Sequence, residues 1–250
     1  MSAPLITANV AAKNFFAEQS RIWSARYKSR TYRQRRTLIG ELFHRYLRPP
    51  NAKTRAIKVL DFGCGTGVFL KDIAELGVDV TGVDNSEPMI EAARLHLGSM
   101  GERVTLEHIS NDVACGVYQD QIYEVILCIS VLEFVSDLQG VLSRLSACLA
   151  PGGVLILSIP NRHSWLRRLE KLAYRHPALV EHFAPLKHLA NPGCYLSIQK
   201  HQLTLNEIKV RMRQEGLRTL EHRFYGAPKV LFRLERLEKI GMTLVTVFQK

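Results

Sequence analysis

Apolar residues follow two periods along this chain. Leu38, Ile39, Leu42, Phe43, Tyr46 and Leu47 recur at helical spacing, and Pro49-Pro50 ends the stripe. Phe15, Phe16, Ile22, Trp23 and Tyr27 form an earlier apolar set, so residues 13–47 read as helices. From residue 57 the period changes. Short apolar runs at 57–61, 78–83, 103–108, 123–129 and 154–159 alternate with helical stretches. The run 123–129 is nearly continuous, as a strand buried on both faces requires. Such alternation predicts a doubly wound parallel sheet in an α/β fold. The punctuation agrees. Gly77 closes the helix that begins at Val68, Ser86-Glu87-Pro88 opens the next, and Gly98 stops it. Ser136 with Gln139, and Thr204 with Glu207, have capping-box spacing. Pro151-Gly152-Gly153 reads as a turn, 217–225 as a strand, 228–239 as a helix and 242–248 as a last β-rich run.

The strand ends carry the chemistry. Val59-Leu60-Asp61-Phe62-Gly63-Cys64-Gly65-Thr66-Gly67 is a strand, a glycine turn and the start of a helix. Glycines there let the backbone approach a ligand without a Cβ in the way. The dinucleotide spacing G-x-G-x-x-G fails, and the G-K-[ST] of a phosphate loop is absent. Asp61 would repel a pyrophosphate and suits a cationic ligand such as S-adenosylmethionine, which has an ammonium and a sulfonium. Asp84, 21 residues after Gly63, ends the second strand, where an acid can accept hydrogen bonds from ribose hydroxyls. Asn111-Asp112 after the third strand suits an adenine edge. Asp61, Asp84, Asn111, Cys128 and Asn161 all fall at carboxyl ends of strands, the ligand-binding rim of an open α/β sheet.

Charge divides the chain of 250 residues into three. Residues 59–161 balance to −10, residues 1–58 to +11 and residues 162–249 to +9, and Lys250 adds the last charge of a net +11. The basic flanks are either solvated helix faces or surfaces that meet an anion: an acidic substrate, a phospholipid surface or nucleic acid. The run Arg30-Thr31-Tyr32-Arg33-Gln34-Arg35-Arg36 reads either as a polar helix face or as an arm that folds over the cofactor or admits an anionic substrate. Five scattered cysteines without C-x-x-C exclude a disulfide framework and a zinc site, which points to a reducing cytoplasm. No run of 18 apolar residues suggests a membrane span.

Four stretches in order, VLDFGCGTG (59–67), TGVDNSEPMIEAAR (81–94), YEVILCISVLEFVSD (123–137) and LAPGGVLILSIPN (149–161), resemble the core of class I S-adenosylmethionine-dependent methyltransferases. The likeness is strongest to small-molecule O-methyltransferases of the ubiquinone-biosynthesis type. The resemblance implies a Rossmann-like seven-stranded sheet in the order 3-2-1-4-5-7-6 with the last strand antiparallel. It implies a helical arm or cap over residues 1–56, a methyltransferase domain over 57–250 and a substrate lid inserted at 161–203. Asp61, Phe62, Gly63, Gly65 and Gly67 would meet the amino-acid end of the cofactor and Asp84 its ribose. Asn85, Met89, Asn111, Asp112 and Val113 would surround the adenine, and Cys128, Ile129 and Ser130 the methionine portion.

Ubiquinone-type enzymes resemble E-x-x-E-H after the fourth strand, with those side chains linked to a metal. Here the segment is Ser130-Val131-Leu132-Glu133-Phe134, and the lone carboxylate is poor provision for a hard cation, so no catalytic metal is expected. The expected reaction is methyl transfer to an oxygen of a small molecule, an acidic, aromatic or lipid-like metabolite that is expected to be anionic. His163, His201 and Tyr195 are the candidates to deprotonate or orient the acceptor. An RNA methyltransferase, or a cofactor-binding regulator without activity, are the alternatives. Within the lid, the basic amphipathic stretch 161–176 also fits peripheral contact with a membrane.

Overall fold

The structure, a computed structural model, describes residues 11–20, 29–47, 57–110, 120–176, 195–226 and 236–250. Seven strands form one sheet in the order β3-β2-β1-β4-β5-β7-β6. They are β1 (Lys58–Phe62), β2 (Asp79–Asp84), β3 (Val104–His108), β4 (Tyr123–Ile129), β5 (Leu149–Pro160), β6 (Arg218–Tyr225) and β7 (Thr243–Gln249). The first five are parallel, and β7 runs antiparallel to both β5 and β6. This is the order and the sense that the resemblance implies. The described helices are α1 (residues 11–20), α2 (Arg30–Tyr46), α3 (Val68–Ala74), α4 (Glu87–Leu97), α5 (Leu138–Ala147), α6 (Trp165–Arg175) and α7 (Leu205–Gln214).

Strand residues alternate between the two faces of the sheet. Leu60, Phe62, Ile126, Cys128, Leu155 and Leu157 pack with Leu138, Leu142 and Leu145 of α5 and Ile208 and Met212 of α7. Val59, Val125, Leu127, Ile156, Val245 and Val247 pack on the other side with Ile39, Leu42 and Phe43 of α2, Leu70 and Ile73 of α3, and Ile90 and Leu97 of α4. Helix α2 therefore belongs to the main core, because its Ile39-Leu42-Phe43 stripe has no other apolar surface of this size to cover.

The capping box at Thr204 and Glu207 forms in both directions, at 3.2 and 2.8 Å. Other local expectations change. The cap of α5 is Asp137, whose carboxylate accepts from the Gly140 amide at 2.8 Å, while Ser136 accepts from Lys200 and Gln139 donates to Glu215. A charged acceptor one residue later holds the helix start more strongly than a neutral hydroxyl. Ser86 sits at the cap of α4, but its hydroxyl is buried without a partner. Pro151-Gly152-Gly153 lies within β5, where the register to β4 shifts between Tyr123 and Val125. The carboxyl terminus holds this irregular stretch, through Gly152 N to Lys250 O and Lys250 N to Gly153 O. Residues 236–240 form turns instead of a helix end, and 227–235 lie outside the described residues.

Asn161, at the carboxyl end of β5, is fully buried and serves as a latch. Its amide donates to Glu238 O at 2.5 Å and Gly241 O at 2.8 Å, and its oxygen accepts from the His163 amide at 3.0 Å. Each such bond contributes about 1 kcal/mol, and the orphaned partners add to the loss. Asn161→Ala is expected to lower the free energy of unfolding in urea by about 3 kcal/mol.

Candidate active site

The carboxyl ends of β1, β2 and β4 open into a cleft of about 930 Å³ measured out to solvent. The turn after β1 supplies its floor. The amides of Gly63 and Cys64 donate to Val83 O at 2.8 and 2.9 Å, which binds the turn to the end of β2. Gly63 has φ 76°, and a Cβ there would lie 2.2 Å from a Val131 methyl. Only glycine fits both constraints. Gly67, at φ 74°, starts α3 and packs on Ala93 of α4 without lining the cleft.

Asp84 braces this floor. One carboxylate oxygen accepts from the Gly65 amide at 2.9 Å and the other from the Ser86 amide at 2.9 Å. Burial raises its pKa, while these amides and His108 pull it back. Each oxygen keeps a second lone pair for a ligand hydroxyl. Asp61 is placed otherwise. It is 2% exposed, and its Oδ2 has no hydrogen-bond partner. Burial, with the charge of Asp84, pushes its pKa to about 7 against the pull of Arg35. An orphaned buried carboxylate on the wall of a cleft is a place for a cation.

Arg35 reaches the cleft from α2. Its Nη1 donates to Ser130 Oγ at 3.2 Å, and its guanidinium lies over the Tyr32 ring. Ser130 has φ 58°, the one non-glycine residue with positive φ among the described residues. Its amide donates to Ser158 Oγ at 3.0 Å, which helps hold the strained conformation. Apart from Asn85 and Gly65 the rest of the lining is apolar, and Phe16 of α1 meets Phe134 edge to face with ring centroids 5.1 Å apart.

Of the expected cofactor residues, Asp61, Phe62, Gly63, Gly65, Asp84, Asn85, Met89, Ile129 and Ser130 line the cleft. Cys128 is fully buried in the core instead. Asn111, Asp112 and Val113 lie outside the described residues. None of the three acceptor-side candidates lines the cleft. The His163 ring is paired with Glu238 at 2.7 Å on the surface. The His201 ring bonds Val135 O at 3.0 Å, directly behind the cleft wall, and its pKa is lowered by burial. The Tyr195 hydroxyl is engaged by Glu170 and Arg167.

Arg35, Phe16, Val131 and Phe134 also line the cleft; Arg35 entered the sequence reading only within the basic run 30–36, and the other three are not among the expected site residues. A signal for Arg35 exists: it stands four and seven residues before Ile39 and Leu42, on the inward stripe of α2. Ser130 and Phe134 occupy the outer positions of the E-x-x-E-H pattern, and Glu133 is buried beside them with its Oε2 unpartnered. Among the described residues no three His, Cys, Asp or Glu side chains converge as a metal site needs.

Burial pushes the Glu133 carboxyl, like that of Asp61, to about 7. In the unfolded chain both ionise near 4. The folded chain alone holds the two protons in between, so stability falls as pH rises through that window. Without ligand, the urea midpoint is expected to drop from pH 6 to pH 8. Asp61→Asn and Glu133→Gln are each expected to remove part of that slope.

The ubiquinone biosynthesis O-methyltransferase of Idiomarina loihiensis is 36% identical over 111 residues, 44% of this chain and 45% of the relative. Its counterpart from Psychrobacter cryohalolentis is 37% identical over 108 residues, 42% of each chain. The matched stretch thus spans less than half the length of these curated relatives. Among solved structures, magnesium protoporphyrin IX methyltransferase from Synechocystis PCC 6803 with bound SAH has a TM-score of 0.68 at 15% identity, covering 96% of this chain and 99% of that one. An N-methyltransferase from Bradyrhizobium japonicum WM9 in complex with S-adenosyl-L-homocysteine has a TM-score of 0.62 at 15% identity, covering 97% and 98%. At these identities the likeness is one of fold. The glycine floor, the Asp84 brace and the orphaned Asp61 carboxylate fit S-adenosylmethionine, the cofactor. With the family description "Methyltransferase domain" matching residues 31–192, the chain belongs to the methyltransferase domain family.

Proposed function

We propose that this protein is an S-adenosylmethionine-dependent methyltransferase acting on a small, apolar or aromatic molecule that carries an acidic oxygen. The observation that carries the reading is the division of one cleft into two chemistries. One part of its lining holds Asp61, Asp84 and the glycine floor, and another holds the Phe16–Phe134 pair with Val131 and Val135. The cofactor, when bound, supplies an activated methyl group. In this reading Asp61 holds the cofactor ammonium, Arg35 its carboxylate and Asp84 its ribose hydroxyls. The residues then have one task, alignment of an acceptor oxygen with the methyl, and the aromatic pair excludes water from that approach. A phenol or carboxylate acceptor suits such a site, since it needs little help to lose its proton. The ubiquinone-pathway names of the curated relatives point the same way.

Asp61 gives the cofactor reading a pH signature. Its carboxyl, with pKa about 7, must be ionised to hold a cation. Affinity measured by calorimetry is expected to fall as pH is lowered from 7.5 to 5.5, and Asp61→Asn to abolish that dependence. Gly63→Ala is expected to weaken binding by about a hundredfold, since the new Cβ and Val131 cannot both occupy their places. For the acceptor, tritiated-methyl cofactor is incubated with cell extract, which is then fractionated. Label in the organic-soluble small-molecule fraction is expected. Label in RNA would replace this reading with the nucleic-acid one, and no label in any fraction would leave a binding protein.

A further inference from the structure

Helix α6 is folded with its charged side inward. Arg167 donates to Glu170 Oε2 and to the Tyr195 hydroxyl, both at 2.6 Å, and its Nε donates to Met242 O at 3.0 Å. Glu170 and Ala173 are buried beside it. The opposite side is apolar and faces solvent. Trp165, Leu169 and Leu172, at i, i+4 and i+7, are 41%, 49% and 49% exposed. A globular helix ordinarily does the reverse, because apolar area left in water forfeits its burial energy.

The exposed stripe does not stand alone. The turn before β7 is tied to the start of α6 by Trp165 N to Lys239 O at 2.9 Å and Ser164 Oγ to Ile240 O at 3.0 Å. That turn presents Leu237, 54% exposed, with Arg236 and Lys239 also exposed. Along α6, Arg168, Lys171 and Arg175 flank the apolar stripe, and none has an ion-pair partner among the described residues. The Lys171 ammonium is pushed below its ordinary range by partial burial and by the charges of Arg175, Arg167 and Arg162. Two elements thus offer tryptophan and leucines rimmed by positive charge that has no ion-pair partner among the described residues.

We propose that this face, α6 with the 236–240 turn, seats on an anionic phospholipid surface. The apolar stripe would enter the headgroup boundary, and the basic rim would meet lipid phosphates. Charge complementarity selects this occupant, since Arg168, Lys171 and Arg175 of α6 and Arg236 and Lys239 of the turn all lie on this face. Helix α6 begins five residues beyond the end of β5, at the same rim of the sheet as the cleft. Seating there brings the cleft close to the phase in which an apolar acceptor concentrates. The inference rests on this surface and not on the identity of the acceptor.

The test is flotation of the full chain with phosphatidylcholine vesicles, with and without phosphatidylglycerol, at low and high salt. Flotation only with the anionic vesicles, reversed by salt, is expected. Leu169→Glu with Leu172→Glu is expected to weaken partitioning by about tenfold or more. Replacing Arg168, Lys171 and Arg175 by alanine is expected to remove the salt dependence. Calorimetry with the cofactor is expected to be unchanged in both variants, which separates loss of lipid binding from loss of fold or of the cofactor site. Absence of flotation with anionic vesicles, or equal flotation of the wild type and both variants, would overturn the proposal. So would a lipid-free dimer that Leu169→Glu with Leu172→Glu dissociates, because the face would then belong to a second copy.

Discussion

Both oxygens of Asp84 are committed to backbone amides, one in the glycine turn after β1 and one at the start of α4. The rest of the site depends on this pair of bonds. They fix the cleft floor relative to β2, and the Gly63 and Cys64 amides complete the tie through Val83 O. A charged acceptor for two amides is strong enough to hold backbone that has no ladder partner there. The floor then leaves no room for a side chain at Gly63, since β4 continues into Val131 immediately beside it. Cofactor geometry is thereby set by the spacing of three strand ends, and the turn residues conform to it.

The same closeness of strand ends concentrates acid. The charge of Asp84 opposes ionisation of Asp61, and burial of both carboxyls removes water that would favour their charged forms. Arg35 offsets part of this from α2, and in doing so it bonds the hydroxyl of the strained Ser130. In the function proposed above, the amino-acid zwitterion of the cofactor would offer one charge to Asp61 and the other to Arg35. The cost of holding a carboxylate unpaired is thus the complement of the ligand, which is why the orphaned oxygen lies in the cleft and not elsewhere in the core.

Beyond the cofactor end, the molecule trades burial for surface chemistry. The Arg167–Glu170–Tyr195 cluster satisfies buried charges that would otherwise be expensive, and it turns the apolar side of α6 outward. Asn161 fixes where that helix begins by holding the turn before β7. The cleft and the basic apolar face are consequently parts of one rim, reached from the ends of β4 and β5.

Much of this was legible in the chain itself. The strands, the glycine turn, the acid after β2 and the α7 cap are set by period, spacing and local capping, all of which act within a few residues. Other features were not. Ser136 and Gln139 have the spacing of a capping box, yet the adjacent Asp137 wins the amide, and Lys200 and Glu215 take the other two. Arg35 and Arg36 look alike in sequence, but one enters the cleft and the other pairs with Asp72 on the surface. The amphipathic pattern of 161–176 does not say which way the apolar face with Trp165, Leu169 and Leu172 turns. Its direction is decided by Tyr195 and Met242, residues 28 and 75 positions beyond Arg167. Local pattern determined what the elements are. Only tertiary packing, which brings distant partners to a side chain, decided which charges are buried, which pair, and which apolar residues remain in water.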